Sequence, residues 1–424
     1  MKNKLSLVIA SIVVVGALAI VYVKSKPVDD IARVAHYPYR AVVRADIDHD
    51  IAYLEKKVQH EPQAPDQSIL ASLYFAQGRL TGDISWYDKA ENMALLSIQT
   101  LEHPNGLARI VLAKVADARH NFTDAIRLSK EAYAEDSGKT SALAVTATSY
   151  LAKGDLVEAG RLADNYVDRT PGLESYGLRA LIMNAQGRDD EALSDFKHAL
   201  EIEDIGEAQE SARIRSLFAR FLMRRGDYAH AKLLLDEALK SVPDYHLAYD
   251  LYGELSMREG DYPAAEKYFK LAFQASKQLM YLTQYSHLAV LMGNTTLANE
   301  IQTQAESFIR PELSKNGYGH RLDLAAILLD RGHPEDIQEA VKLATEDVQN
   351  RHSALALDVL ARAQLAAGHI RAARETARDL LRIGVKDPDY FYHASLIETA
   401  VKNPRQAKLY LDESAKIAPG GHTL

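Results

Sequence analysis

Glycines at a nearly constant spacing are the feature of this sequence that most limits how it can fold. Gly154, Gly187, Gly226 and Gly260 are 33, 39 and 34 residues apart. Each lies between two segments whose apolar residues recur with helical periodicity. A glycine at such a point tolerates the positive φ of a tight turn between helices. Units that recur at this period bury their apolar faces against their neighbours, so we predict a solenoid of stacked helical hairpins.

Residues 246–277 form the clearest unit. After its turn glycine, Ala265, Phe269 and Ala272 recur at spacings of four and three, which places them on one face of a helix. The small alanines allow close approach of the neighbouring helix, and the phenylalanine fills the space between hairpins. Weaker copies extend in both directions. We therefore predict an all-α fold with about ten hairpins.

This unit resembles the tetratricopeptide repeat (TPR) family, whose pattern of aromatic, glycine and alanine positions spans about 34 residues. The matching positions are Tyr249, Tyr252, Gly253, Gly260, Tyr262, Ala265, Phe269 and Ala272. The tryptophan that is common early in the family's first helix is missing from every copy. The resemblance implies a superhelix in which the first helix of each hairpin lines a concave groove that holds other proteins.

An apolar run at the amino terminus indicates insertion into a membrane. The run from Leu5 to Val23 contains no charged residue, and its nineteen residues span about 28 Å as a helix, which is close to the thickness of the hydrocarbon core of a bilayer. Two interpretations stay open. The run is an uncleaved signal anchor, or it is a signal peptide that is cleaved after Ala19, where small residues have the required spacing. Hydrophobicity that continues to Val23 favours the anchor.

These patterns divide the chain into three parts. Residues 1–26 form the signal anchor or transmembrane helix, residues 27–66 a tether with a capping helix, and residues 67–421 the solenoid. The short positively charged flank resembles that of a signal sequence. We expect a membrane-anchored bacterial protein that crosses the inner membrane once and has its body in the periplasm. Cleavage after Ala19 would instead leave a soluble periplasmic protein.

The sequence contains no recognisable motif for catalysis, a cofactor or a metal. The absence of cysteine excludes disulfides, thiolate zinc sites and a cysteine nucleophile. The fifteen histidines include no His-Glu-x-x-His pair. Gly138-Lys139-Thr140 ends like a phosphate-binding loop, but Tyr133 occupies the position of the first glycine. With a net charge of −8, the chain is not expected to bind nucleic acid. We expect no enzyme activity, no cofactor and no metal.

The family resemblance also implies which residues face the groove, namely the first-helix positions that are not used for packing. These candidate partner-binding residues are Lys114, Asp117, Asn184, Arg213, Arg220, Asp250, Glu254, His287, Asp358, Arg362 and Tyr392.

The candidate groove has mixed charge and a basic centre. That centre is formed by Arg213, Arg215, Arg220, Arg224 and Arg225. Arginine pairs well with carboxylates, so we expect an acidic peptide or helix of a partner protein to bind there. The hypothesis is a membrane-tethered protein–protein interaction scaffold of the cell envelope. The alternative is an accessory subunit of an envelope polysaccharide or cell-wall assembly system that contacts glycan.

Overall fold

The computed structural model describes residues 29–41, 45–314 and 320–419, and all regular secondary structure in these ranges is helical. The predicted membrane-spanning run 5–23 and the cleavage point after Ala19 lie outside them. None of the described helices combines the length and the apolar character that crossing a bilayer requires.

The helices are numbered in chain order. Their bounds are α1 (Asp30–Ala35), α2 (Ala45–His60), α3 (Ala64–Thr81), α4 (Ser85–Thr100), α5 (Gly106–Ala118), α6 (Phe122–Glu135), α7 (Ser141–Lys153), α8 (Leu156–Arg169), α9 (Leu173–Ala185), α10 (Asp189–Glu201), α11 (Ala208–Met223), α12 (Tyr228–Ser241), α13 (His246–Arg258), α14 (Tyr262–Ala275), α15 (Leu279–Leu291), α16 (Thr295–Ser314), α17 (Arg321–Arg331), α18 (Pro334–Asn350), α19 (Ala354–Ala366), α20 (Ile370–Arg382), α21 (Pro388–Ala400) and α22 (Pro404–Ile417).

From α3 onward, consecutive helices pair into ten hairpins, which we number 1 (α3 and α4) to 10 (α21 and α22). We call the first helix of each hairpin helix A and the second helix B. Each hairpin packs on the next one in the chain. The prediction of an all-α solenoid of helical hairpins is therefore confirmed in the described residues.

The turns within the hairpins form as the glycine spacing predicts. Gly154, Gly226 and Gly260 have φ values of 85°, 75° and 78°. The aspartate that follows each of these glycines caps helix B, because its side chain accepts a hydrogen bond from a backbone N–H in the first helical turn. One residue thus allows the turn, and the next begins the second helix.

Packing inside hairpin 6 explains the pattern of its small residues. Ala265, Phe269 and Ala272 are fully buried. A side chain at Gly253 would place its Cβ 2.5 Å from the Phe269 ring, so only glycine lets the aromatic ring lie against helix A. The repeat pattern is therefore a packing pattern, as the sequence predicts.

Successive turns of the superhelix contact each other, which the sequence did not reveal. The backbone N–H of Lys277, after hairpin 6, donates to the carbonyl of Thr81 in hairpin 1, at 2.9 Å. Likewise, His352 after hairpin 8 donates to the carbonyl of Lys153 in hairpin 3, at 3.0 Å. The turn of each of these hairpins thus contacts the loop that follows the hairpin five positions later in the chain.

The same offset recurs in the other hairpins of the first half. The ring of His120 at the turn of hairpin 2 lies 5.9 Å from that of His320, which follows hairpin 7. Gly187 in hairpin 4 lies against Gly384, and Gly226 in hairpin 5 lies near Pro419. We call this line of contacts the seam. Along it, the turns of hairpins 1–5 contact the segments that follow hairpins 6–10.

The residues before hairpin 1 divide between two places. Helix α2 covers the outer face of hairpin 1, where Ile51, Leu54 and Val58 join a core with Leu70 and Tyr74. Helix α1 lies against α10 and α12, which are the B helices of hairpins 4 and 5.

The lumen of the superhelix as candidate functional site

The candidate groove residues all lie on A helices, and none of them is exposed. Asp250, Glu254 and Asp358 are buried, and the other eight are half-buried. Because the seam joins successive superhelical turns, the concave side is a narrow lumen rather than an open groove. The resemblance implied a groove, and the structure shows that its lining is largely withdrawn from solvent.

A first group of charges lies where hairpins 2 and 5 line the lumen. Arg213 donates to both carboxylate oxygens of Glu210 from Nε, at 2.9 Å each. Lys114 makes no hydrogen bond or ion pair with any described residue, and burial lowers the pKa of its ammonium group. Asp117 accepts a hydrogen bond from Ser149 Oγ at 2.5 Å. Burial nevertheless raises the pKa of Asp117 to about 6.

A second group combines residues from hairpins 5, 6 and 10. Arg258 forms ion pairs of 3.0 Å with Glu254 and with Asp389. Arg224 pairs with the buried carboxylate of Asp387. Arg258 and Asp389 are 131 residues apart in sequence, and Arg224 and Asp387 are 163 apart, so no local pattern identifies these two pairs.

Two members of this second group lack partners. Asp250 is 4% exposed, and its Oδ1 has no hydrogen-bond partner in the described part of the chain. Burial, reinforced by the charge of Glu254, raises the pKa of Asp250 to about 8. Arg220 makes no hydrogen bond or ion pair with any described residue. Burial and the neighbouring Arg224 lower the pKa of its guanidinium group.

The remaining candidates lie further along the lumen. The Oδ1 atom of Asn184 accepts a hydrogen bond from Arg225, at 2.9 Å. A histidine ring nitrogen approaches a carboxylate at two places: His287 lies 3.1 Å from Asp330, and Asp358 lies 2.8 Å from His393.

The last two candidates are less constrained. Arg362 has no polar partner among the described residues, and the ring of Tyr392 lies 5.9 Å from that of His393.

The predicted basic centre needs correction. Arg215 does not face the lumen, because it is fully buried on another side of α11, where it pairs with Glu203. Residues five apart on a helix point about 140° apart, whereas residues seven apart share a face. Arg213, Arg224 and Arg225 do have carboxylate partners, in Glu210, Asp387 and Asp189. Of the five arginines, only Arg220 lacks a partner in the described chain.

A cleft of about 500 Å³ opens between hairpin 1 and the junction of hairpins 5 and 6. Leu80, Pro243, Tyr245 and Leu271 give it a largely apolar lining. The hydroxyl of Tyr245 lies within the electrostatic field of Arg213 and Glu210, and burial raises its pKa. The cleft therefore adjoins the first group of lumen charges. Sequence reasoning missed it because its walls come from opposite sides of the seam.

The described residues hold no group of three or more histidine, cysteine, aspartate or glutamate side chains arranged to bind a metal ion. Some lumen charges pair across helices, as Arg224 does with Asp387, whereas Lys114, Arg220 and Arg362 have no ion-pair partner among the described residues.

Comparison with known proteins identifies the repeat. Residues 217–278, which include most of hairpins 5 and 6, match the tetratricopeptide repeat family model. No curated protein matches the chain. The match indicates no catalytic family, and repeats of this kind generally bind other proteins.

Solved structures with similar architecture are distant in sequence. Human IFIT1, solved as a dimer with PPP-AAAA, is 13% identical over 92% of this chain and 99% of its own, with a TM-score of 0.49. The APC/C heterotetramer Cut9–Hcn1 is 13% identical over 89% and 91%, with a TM-score of 0.43. PilW, a type IV pilus biogenesis factor, is 18% identical over 48% and 94%, with a TM-score of 0.39. Similarity at this level carries no inference about ligands. The family model therefore identifies tetratricopeptide repeats in hairpins 5 and 6, within a stack of ten helical hairpins.

Proposed function

We propose that this protein is a membrane-tethered scaffold that binds an acidic segment of a partner protein in the lumen of its superhelix. Residues 5–23 anchor it in the bacterial inner membrane, and the solenoid lies in the periplasm. The TPR-type fold supports the role of an interaction scaffold. The apolar run and its charged flanks support the anchor.

Unpartnered cations in the lumen are the observation that carries the acidic ligand. Lys114, Arg220 and Arg362 make no ion pair with any described residue, although Lys114 and Arg220 are largely withdrawn from solvent. Burying a charge without a partner costs free energy, which a carboxylate from a ligand would offset. Asp250 is mostly protonated at neutral pH, so it can donate a hydrogen bond to the same ligand.

The apolar cleft at Tyr245 supplies a route into this lumen. Its walls suit apolar side chains of a peptide, and it adjoins the charged group around Arg213. A peptide segment with apolar residues followed by carboxylates would place its apolar side chains in the cleft and its carboxylates in the charged lumen. The ligand is therefore an amphipathic acidic segment rather than a uniformly acidic tail.

Charge reversal tests the lumen. The full chain in detergent is used to capture proteins from an envelope extract, and captured proteins are quantified by mass spectrometry. We expect Arg220→Glu and Lys114→Glu to lose partners that the wild type captures. Arg371→Glu is the matched control, because Arg371 is an exposed arginine on α20. An unchanged set of partners in both lumen variants would refute binding in the lumen.

The anchor is tested separately. Intact mass of the exported protein distinguishes an uncleaved chain from one that has lost residues 1–19. The chain has no cysteine, so a single cysteine at Lys26 reports its own accessibility to a membrane-impermeant thiol reagent. Labelling in intact cells after permeabilisation of the outer membrane alone is expected. Labelling only after lysis would place the body in the cytoplasm.

A further inference from the structure

Residues 29–41, which include helix α1, lie across the outer surface of hairpins 4 and 5, and we call this segment the strap. At its start, Asp29 Oδ2 lies 2.8 Å from Nε2 of His230 in hairpin 5. One helical turn later, Arg33 pairs with Glu201 of hairpin 4 at 2.6 Å. The strap therefore bridges two neighbouring hairpins about 170 to 200 residues further along the chain.

A single buried arginine holds the middle of the strap. Nε of Arg215 donates to the carbonyl of Ala35 at 2.7 Å, and Nη2 donates to the carbonyl of His36 at 3.1 Å. The same guanidinium forms ion-paired hydrogen bonds of 2.8 and 2.7 Å with Glu203. All the charge in this contact is paired. The free carbonyls at the end of α1 find donors in the solenoid rather than in water.

Apolar burial accompanies these polar contacts. Val34 and Ala35 belong to the same core as Phe196, Phe218 and other residues of hairpins 4 and 5. Tyr37 is 2% exposed, and its backbone N–H donates to Glu237 at 2.7 Å. A segment that only tethered the solenoid flexibly would not bury an aromatic ring and share a core with it.

The solenoid carries a matching irregularity. The spacing between the turn glycines of hairpins 4 and 5 is 39 residues, where the neighbouring spacings are 33 and 34. The additional residues form the connection 202–207, which includes Glu203. Glu203 pairs with Arg215 through its side chain and accepts from the Tyr39 hydroxyl through its carbonyl, at 3.2 Å. This insertion therefore forms part of the surface that the strap packs against.

The start of the strap lies close in sequence to the proposed anchor. Asp29 follows Val23 by six residues, and a chain of that length spans at most about 20 Å. We infer that the strap holds the outer surface of hairpins 4 and 5 against the lipid bilayer and so fixes the orientation of the solenoid. Hairpins 2 and 7, about half a superhelical turn away, then face away from the membrane. This inference rests on the proposed anchor at residues 5–23.

Energy transfer to the bilayer tests this orientation in the full chain. The protein is reconstituted into vesicles of phosphatidylethanolamine and phosphatidylglycerol that carry an acceptor dye on a lipid headgroup. A donor dye is attached to a single cysteine, either Ala229→Cys beside His230 or Gln304→Cys on α16 of hairpin 7; both positions are exposed. We expect transfer from position 229 to be several-fold more efficient than from position 304.

Loosening the strap provides the second arm. Val34→Asp places a charge in the shared core from the strap side only, and the difference between the two positions should then disappear. Arg33→Glu, which opposes Glu201 at the surface, is the milder variant if Val34→Asp lowers the helix content measured by circular dichroism. Arg33→Glu should reduce the difference. Equal transfer from both positions in the wild type, or a difference that both strap variants leave unchanged, would overturn the inference.

Flotation of the same samples separates this inference from the proposed anchor. A chain that does not float with the vesicles lacks the anchor, and both proposals then fail. A chain that floats but shows equal transfer from the two positions keeps its anchor and lacks a fixed orientation. Flotation together with unequal transfer supports both.

Discussion

Helix α11 carries a buried arginine in each of two charged groups, and the two groups differ in how many of their charges have partners. On the outer side, Arg215 is fully buried, and every one of its hydrogen bonds is to Glu203, Ser211 or the strap carbonyls. On the lumen side, Arg220 has no partner among the described residues, and nearby Asp250 has an unsatisfied oxygen. A complete set of partners indicates a structural contact, whereas buried charge without partners favours a ligand-binding surface.

The largest expected effect is at the outer contact. Arg215→Ala would leave Glu203 buried without its partner and two strap carbonyls without donors, so the free energy of unfolding should fall by about 3 to 5 kcal/mol. Guanidinium denaturation followed by circular dichroism measures this loss. Hydrogen exchange should also increase in residues 29–41. A loss below about 1 kcal/mol would show that the pair is not an integral part of the fold.

The seam that closes the lumen predicts the next effect. Gly154→Ala and Gly260→Ala both force a non-glycine residue into positive φ. Only at Gly154 would the new Cβ meet a backbone atom, the carbonyl oxygen of His352 at 2.2 Å. We expect Gly154→Ala to cost about 1 to 3 kcal/mol more than Gly260→Ala, measured by chemical denaturation. Equal costs would mean that the seam opens freely in solution.

The unpaired acid on the lumen side predicts a pH effect. The folded pKa of Asp250, about 8, is above the ordinary value of 3.8, so the folded state binds more protons than the unfolded state between these pH values. Wild-type stability is therefore lost as pH rises through this window, by at most about 1.4 kcal/mol per pH unit. Asp250→Asn removes that dependence.

The comparison of Asp250→Asn with wild type should therefore show a gain that grows from pH 5 to pH 8 in chemical denaturation. Asp168→Asn, an exposed position on α8, should show no such trend. A gain for Asp250→Asn that is the same at every pH would contradict the protonated state of Asp250.

The smallest effect on stability is expected at Arg220. Arg220→Met removes a buried charge without stranding a partner, so the free energy of unfolding should change by no more than about 1 kcal/mol. Measured beside Arg215→Ala, it contrasts two arginines on one helix. A loss as large as that at Arg215 would show that Arg220 is structural, and the lumen would lose its strongest candidate for ligand binding.

Local patterns were sufficient to predict the hairpins but not the partners of their charged residues. Ala265 and Phe269 are buried as their spacing predicts, and the turn glycines have the expected positive φ. Helical geometry also groups Arg213 with Arg220. The charge pattern alone puts Arg215 in the same basic centre, because the number of charges carries no information on their angular position around the helix. The partners of Arg215 are Glu203, 12 residues away, and the strap carbonyl of Ala35, 180 residues away in sequence.

The amino-terminal part shows the same division. Helix α2 lies within residues 27–66, and its apolar residues recur with helical periodicity. The docking of residues 29–41 has no such signal, because it depends on Glu203 and Arg215 in a distant hairpin. The division into segments 1–26, 27–66 and 67–421 and the membrane location stay predictions.

The sequence by itself determined that this protein is a stack of helical hairpins, because turn glycines, caps and buried alanines act over a few residues and repeat. Only the tertiary structure decided that the stack closes along a seam, that most lumen arginines are neutralised and that the strap lies on hairpins 4 and 5. Those features join residues that are more than a hundred positions apart. The small rotation between successive hairpins accumulates over five repeats and determines which of these residues meet.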